Sequence, residues 1–258
     1  MRTNCKAQLA VLSIAWLGWS AAAPAQTEPQ AEQSRQAQGA SQTEEGKRVA
    51  QAAEAFAEIM RSPDSAIPEA LLNRAEAIAV FPNVIKAAFG IGGQHVKGVI
   101  SVRNRETGQW SPPAFLTMSG GSWGAQIGGQ SADIVLLVMN KRGVEKLLQS
   151  QFKIGGEAEA SAGPVGRRAE ASTDIQLRAE ILSYSRSRGL FAGVSLSGAV
   201  VKEDVNDNED FYGRPLKSRE IVLAANPPEP VAPQALVAWR DTLNQYSVAA
   251  TSGKKDPR

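Results

Sequence analysis

Residues 120–140 read GGSWGAQIGGQSADIVLLVMN, and the kind of protein they belong to turns on their first five letters. Gly120-Gly121-Ser122-Trp123-Gly124 fits G-x-S-x-G, the sharp turn that lifts a nucleophilic serine between a strand and a helix. The same glycines could wrap a phosphate at the start of a helix. A third reading is a β-strand with one face kept small. Side-chain order separates the three. Trp123, Ala125 and Ile127 fall on one side, and Ser122, Gly124, Gln126 and Gly128 on the other, a period of two. Both functional turns must run straight into a helix, and no helical repeat follows here. The hydrolase order also places a histidine after the serine, whereas the single histidine, His95, precedes it. The phosphate-loop pattern G-x-x-x-x-G-K-[ST] is absent. A strand is therefore expected, with a Ser122–His95 pair kept as the enzyme alternative because triads recur in any chain order.

The neighbouring segments extend the β reading. Ala132 to Met139 is a continuous apolar run, as in a strand buried on both faces. Lys141 to Ser150 carries Val144, Leu147 and Leu148 on one helical side. Upstream, Ala77 to Phe81 is a short strand ending at Pro82. Gly98 to Arg103 and Ala114 to Met118 form a hairpin around the polar stretch Arg103 to Gly108. Gly155 to Gly166 alternates Ala158, Ala160 and Ala162 with Glu157, Glu159 and Ser161. Ser185 to Val201 alternates Leu190, Ala192, Val194 and Leu196 with Phe191, Gly193, Ser195 and Ser197. Glycines inside strands mark bulges, bends or close backbone approach, so the sheet is expected to coil strongly, a ligand groove along the small faces being the alternative.

Helices flank this region. From Glu44, Val49, Ala52, Ala53, Phe56, Ile59 and Met60 recur at three and four, until Arg61-Ser62-Pro63-Asp64 stops the pattern. A second helix starts at Pro68 and includes Leu71, Leu72 and Ala75. The expected class is α+β, an antiparallel, strongly coiled glycine-rich sheet or partly closed barrel with N-terminal and C-terminal helices.

At the start of the chain, Arg2 and Lys6 precede an apolar run from Ala7 to Trp19, then Ala23-Pro24-Ala25. This is the pattern of a secretory leader cleaved after Ala25, which places the product in the periplasm or outside the cell, peripheral to an envelope membrane. Cys5, the one cysteine, would leave with the leader. Lys and Arg total 28 and Asp and Glu 26; losing Arg2 and Lys6 balances them, which argues against nucleic acid as a partner. Residues 26–43 are poor in large apolar side chains and read as a disordered tether. The domain then spans 44–225. A proline-rich linker and an amphipathic helix from Pro233 to about Tyr246 occupy 226–250, and 251–258 is a disordered tail. Trp239 and Tyr246 on that helix either meet a membrane interface or partner, or dock on the domain.

In order along the chain stand AEAIAVF (75–81), VIKAAFG (84–90), GVI (98–100), WSPP (110–113), GGQSAD (128–133), AGPVGR (162–167), SYSR (183–186), GLFAGVSL (189–196) and FYG (211–213). Together they resemble the SYLF family, the lipid-binding or Ysc-type actin-binding domain, over about Ile59 to Leu223. The resemblance implies binding of membrane lipid, phosphoinositides in eukaryotic members, through an amphipathic helix at the domain's start plus basic residues. Some fungal members also bind actin. By position the helix is Glu44 to Arg61, and the basic residues of the matched segments are Lys86, Lys97, Arg167, Arg168, Arg186 and Arg188. Guanidinium forks suit lipid phosphates. The helix, however, carries Glu44, Glu45, Glu54 and Glu58 against Lys47, Arg48 and Arg61, and is not a basic amphipath. Packing on the sheet is therefore its expected role. A secreted protein is not expected to meet actin.

Asp204, Asn206, Asn208 and Asp210 imitate the odd positions of a calcium loop, but Glu209 stands where glycine is needed and Pro215 where a bidentate Glu is needed. A helix-capping turn is expected instead. His95 has no second histidine or thiol near it in the chain, so neither metal nor cofactor is expected. The function read from the sequence is non-catalytic binding of anionic phospholipid at a bacterial envelope membrane. A serine hydrolase using Ser122 and an envelope protein-binding scaffold are the alternatives.

Overall fold

A computed structural model describes residues 43–61, 67–85, 96–120, 131–157, 159–165, 179–187, 190–231 and 233–247. Two helices, α1 (Glu44–Met60) and α2 (Glu69–Arg74), lead into strands β1 (Ala77–Ile85), β2 (Val96–Val102), β3 (Ala114–Ser119) and β4 (Ser131–Val138). Helix α3 (Lys141–Leu147) is followed by β5 (Gln151–Lys153), β6 (Ala160–Ala162), β7 (Ile181–Ser187), β8 (Leu190–Gly193) and β9 (Val200–Glu203). Helices α4 (Val205–Tyr212), α5 (Ser218–Val222) and α6 (Pro233–Tyr246) complete the chain.

The strands form one curled half-barrel in the order β5-β9-β3-β2-β1-β4-β7-β6. β6 and β8 share one edge of β7: Ala160 to Ala162 oppose Ile181 to Ser183, and Leu190 to Gly193 oppose Ser187 to Tyr184. The α+β class with helices at both ends is as expected. One pairing departs from the all-antiparallel expectation, since β6 runs parallel to β7.

Strand boundaries differ where alternation alone was used. β1 continues through Pro82 to Ile85, because the residue that cannot donate to a ladder sits in a bulge. The register with β4 shifts between Phe81 and Val84, and Asn83 takes φ 53°, its N–H donating to Asp133 Oδ1 at 3.0 Å. Gly155 to Glu157 is a turn, with Gly155 at φ 78°, so only Ala160–Ala162 of that segment is strand. The Ser185–Val201 segment is divided among β7, β8 and β9. The expected strand at 122–128 lies outside the described residues.

The helices are placed by local chemistry. Thr43 Oγ1 accepts from Gly46 N at 3.0 Å, and Glu44 and Glu45 lie in the first turn of α1, where the positive end of the helix dipole favours them. α1 packs on β1, β2 and α6, burying Val49, Ala52, Ala53, Phe56 and Ile59. α6 is held by two buried indole bonds. Trp239 Nε1 donates to Ser101 Oγ of β2 and Trp110 Nε1 to Ser247 Oγ, each at 2.8 Å. Trp239 is thus a core residue of the same cluster as the sheet, and Tyr246 meets Phe56 edge to face at 6.2 Å. Among the described residues no helix is long and apolar enough to cross a membrane.

Candidate functional site

Register decides which strand ends come together. β1, β3, β6 and β7 run toward one end of the sheet, and β2, β4 and β9 start from it. Lys97 lies one residue from the start of β2 and Arg186 one residue from the end of β7, so both stand at this end, separated by β1 and β4. At about 4.8 Å per strand step, their backbones are roughly 14 Å apart. Lys86, Arg167, Arg168 and Arg188 lie outside the described residues, as do Ser122 and His95.

Both described cations are already paired. Lys97 Nζ is 2.7 Å from Asp207 Oδ1 and 3.6 Å from Asp204 Oδ2, and Arg48 of α1 shares Asp207. Partial desolvation opposes the charge on Lys97, but the hydrogen bond and charge of Asp207, with Asp204, outweigh it and raise its pKa. Arg186 is 3.2 Å from Asp133 Oδ2 and bonded to Glu58 of α1. Arg186 therefore ties the later part of α1 to the sheet through Glu58, and Asp207 of α4 links Arg48, near the start of α1, to Lys97 of β2. This agrees with the packing role expected for that helix.

The residues that imitate a calcium loop have structural duties. Asp204 caps α4, its Oδ1 accepting from Asp207 N at 3.1 Å, as expected of a capping residue. Asn208 is fully buried and its Oδ1 accepts from Phe115 N at 2.8 Å, while Tyr212 Oη donates to Pro113 O at 2.6 Å. Burial pushes the Tyr212 phenol far above its ordinary pKa, and that of Tyr184 likewise. Glu45, Asp207 and Asp210 offer carboxylate oxygens within 4.8 Å of one another, but Asp207 is neutralised by Arg48 and Lys97.

A second polar centre, which the sequence reading passed over, lies at the opposite end of β2. Lys97, Val99, Ser101 and Arg103 occupy one face of this strand by period-two order. Arg103 is only 5% exposed. Its Nη1 donates to Asn73 O at 3.1 Å, and its Cζ lies 4.5 Å from the Trp110 ring centroid. Its Nε and Nη2 hydrogens are buried without an acceptor, as is Nε of Arg240 on α6. Burial, with Arg105 nearby, lowers the Arg103 pKa to about 10 against the pull of Glu76. The sequence signal was an arginine in phase with buried strand positions.

The family model Ysc84, described as Las17-binding protein actin regulator, matches residues 119–246. The chain belongs to the Ysc84 family. SH3 domain-containing YSC84-like protein 1 of Rattus norvegicus is 31% identical over 206 residues, covering 79% of this chain and 59% of the relative. Protein YSC84 of Saccharomyces cerevisiae is 35% identical over 162 residues, covering 62% of this chain and 34% of its own. LAS seventeen-binding protein 3 of the same yeast is 34% identical over 170 residues, with 65% and 37% covered. The chain thus spans 59% of the rat relative and about a third of the yeast ones. The family match extends through α6, the helix that the sequence set apart behind its proline linker.

Proposed function

We propose that this Ysc84 domain is a non-catalytic binding module that attaches to anionic phospholipid at an envelope membrane. The observation that supports it most is the register. Lys97 and Arg186 stand at one sheet end, and β1 and β7 also terminate there at Ile85 and Ser187, with Lys86 and Arg188 next in the chain. β6 runs toward the same end ahead of Arg167 and Arg168. A surface rich in guanidinium and ammonium groups attracts anionic headgroups, each worth about 1 kcal/mol near such a membrane. Lys97 and Arg186, paired with acids, position α1, and Lys86, Arg167, Arg168 and Arg188 carry the contact. Co-sedimentation with phosphatidylglycerol or cardiolipin vesicles tests this. Binding should fall with added salt and in Arg167→Ala/Arg168→Ala, and unchanged binding in that variant rejects the proposal.

The Las17-binding names of the family and of one yeast relative favour one second reading, a protein-binding scaffold. It predicts no vesicle binding and recovery of one reproducible partner by cross-linking. A hydrolase using Ser122 has no support from these relatives, and fluorophosphonate labelling lost in Ser122→Ala is the result that would revive it.

A further inference from the structure

Glu45 of α1 is buried to all but 9% of its surface, yet among the described residues its carboxylate accepts no hydrogen bond and joins no ion pair. Buried carboxylates are normally paired or bound to a metal ion. Its neighbour Glu44 shows the ordinary outcome, 2.8 Å from Lys47 Nζ. Glu45 instead meets two more acids, since one oxygen each of Glu45, Asp207 and Asp210 lie within 4.8 Å of one another. The Glu45 oxygens are not sealed off, and Asp210 beside them is exposed, so an ion can reach the cluster from solvent.

We propose that Glu45, Asp207 and Asp210 bind a divalent metal ion, calcium, between the start of α1 and α4. Helix spacing places the ligands. Asp207 and Asp210 are three positions apart and share one face of α4, and Arg48, three positions after Glu45 on α1, reaches across to Asp207. Arg48 bonds Oδ2 of Asp207 and Lys97 bonds Oδ1, but an ionised carboxylate has about four lone-pair sites, so both oxygens keep room for a metal. Charge favours a divalent ion. Glu45, Asp204, Asp207 and Asp210 bring four negative charges and Arg48 and Lys97 two positive ones, which leaves the deficit that one divalent ion cancels. The donors are all oxygen, as hard cations prefer, with none of the nitrogen or sulfur that selects zinc. Calcium binds oxygen at about 2.3–2.6 Å, so ligands on its opposite sides stand about 4.6–5.2 Å apart, and the three carboxylates can close on it with little movement. Magnesium demands a regular octahedron, which the bonds holding Asp207 to Arg48 and Lys97 oppose. The site is not the calcium-loop pattern of residues 204–215. It draws on two helices, and it leaves Asp204 and Asn208 to their structural bonds.

The test titrates the full mature chain, stripped of metal with EDTA and dialysed, by isothermal calorimetry. Calcium chloride and magnesium chloride are added in separate runs against sodium chloride at equal ionic strength. One equivalent of calcium is expected, with a dissociation constant of about 0.1–1 mM, the range of extracellular calcium modules, and weaker magnesium. Asp210→Asn is the informative variant, because Asp210 is exposed and no fold contact rests on it. Its affinity should fall roughly tenfold or more, since such sites are tuned by their count of charged ligands. Glu45→Gln should lose as much, whereas Glu209→Gln, an exposed acid beside the cluster, should bind as wild type. Thermal unfolding adds a change of sign that a general salt effect does not give. Without the ion, Asp210→Asn should unfold at the same temperature as wild type or higher, because it relieves like-charge repulsion; in saturating calcium it should unfold lower. The proposal is overturned by absence of calcium binding, by tighter magnesium binding, by calcium affinity unchanged in both Asp210→Asn and Glu45→Gln, or by an equal loss in Glu209→Gln. No vesicle enters these measurements, so their outcome is separate from that of the membrane reading.

Discussion

Gly163 and Gly193 mark the closest approach in the sheet. A Cβ on Gly163 would stand 2.0 Å from Tyr184 Cζ, and one on Gly193 would stand 2.1 Å from the Gly163 carbonyl oxygen. The small strand face thus admits an aromatic ring and a crossing backbone, which is the close-approach reading of its glycines. Gly98 is similar, with Phe81 Cδ1 at 2.4 Å from the same construction. Gly163→Ala is expected to destabilise the protein by about 3 kcal/mol or more, the upper end of overpacking costs, measured by urea unfolding. Lys97 supports a second residue-scale prediction. Its pKa is raised in the folded state, so its contribution is fully present below the unfolded value and is lost as pH rises through the folded one. The stability gap between wild type and Lys97→Met should hold across neutral pH and close only under strongly alkaline conditions.

At the scale of elements, α4 depends on two side chains, one bonding within its own first turn and one reaching across the fold. Asp204→Ala removes its cap and should cost about 1 kcal/mol. Asn208→Ala leaves the Phe115 N–H buried without a partner and should cost about 2 kcal/mol or more by the price of an unmet buried donor. Both can be read from chemical denaturation midpoints. The same segment shows what was legible. Four Asn and Asp residues in alternation announced local capping correctly at Asp204, but the bond from Asn208 to β3 spans 93 positions and leaves no local trace. Periodicity found α1, α6 and the cores of β1 to β4, where one face or both are buried over several residues. It failed at Pro82, where a bulge carries the strand onward, and at Ser185 to Val201, where alternation persists across a hairpin and a turn. Of the candidate site, strand register brings Lys97 and Arg186 to one sheet end, which no local pattern announces, and the only sequence sign of the burial of Arg103 is its phase with buried strand positions.

For the whole molecule, the core includes both terminal helices. Removing residues 226–258 would strip Trp239, Leu243 and Ala235 from the cluster and leave Ser101 and Trp110 without their partners. Losing one large core side chain alone costs about 3–5 kcal/mol, comparable with the stability of many domains. The truncated chain is therefore expected to lack a cooperative thermal transition by circular dichroism, whereas removal of residues 251–258 should leave the transition unchanged.

The docking of α6 also sets a timetable for synthesis. Because α6 packs on α1 and bonds to β2, a nascent chain that has not yet reached residue 246 leaves part of α1 uncovered and its core incomplete.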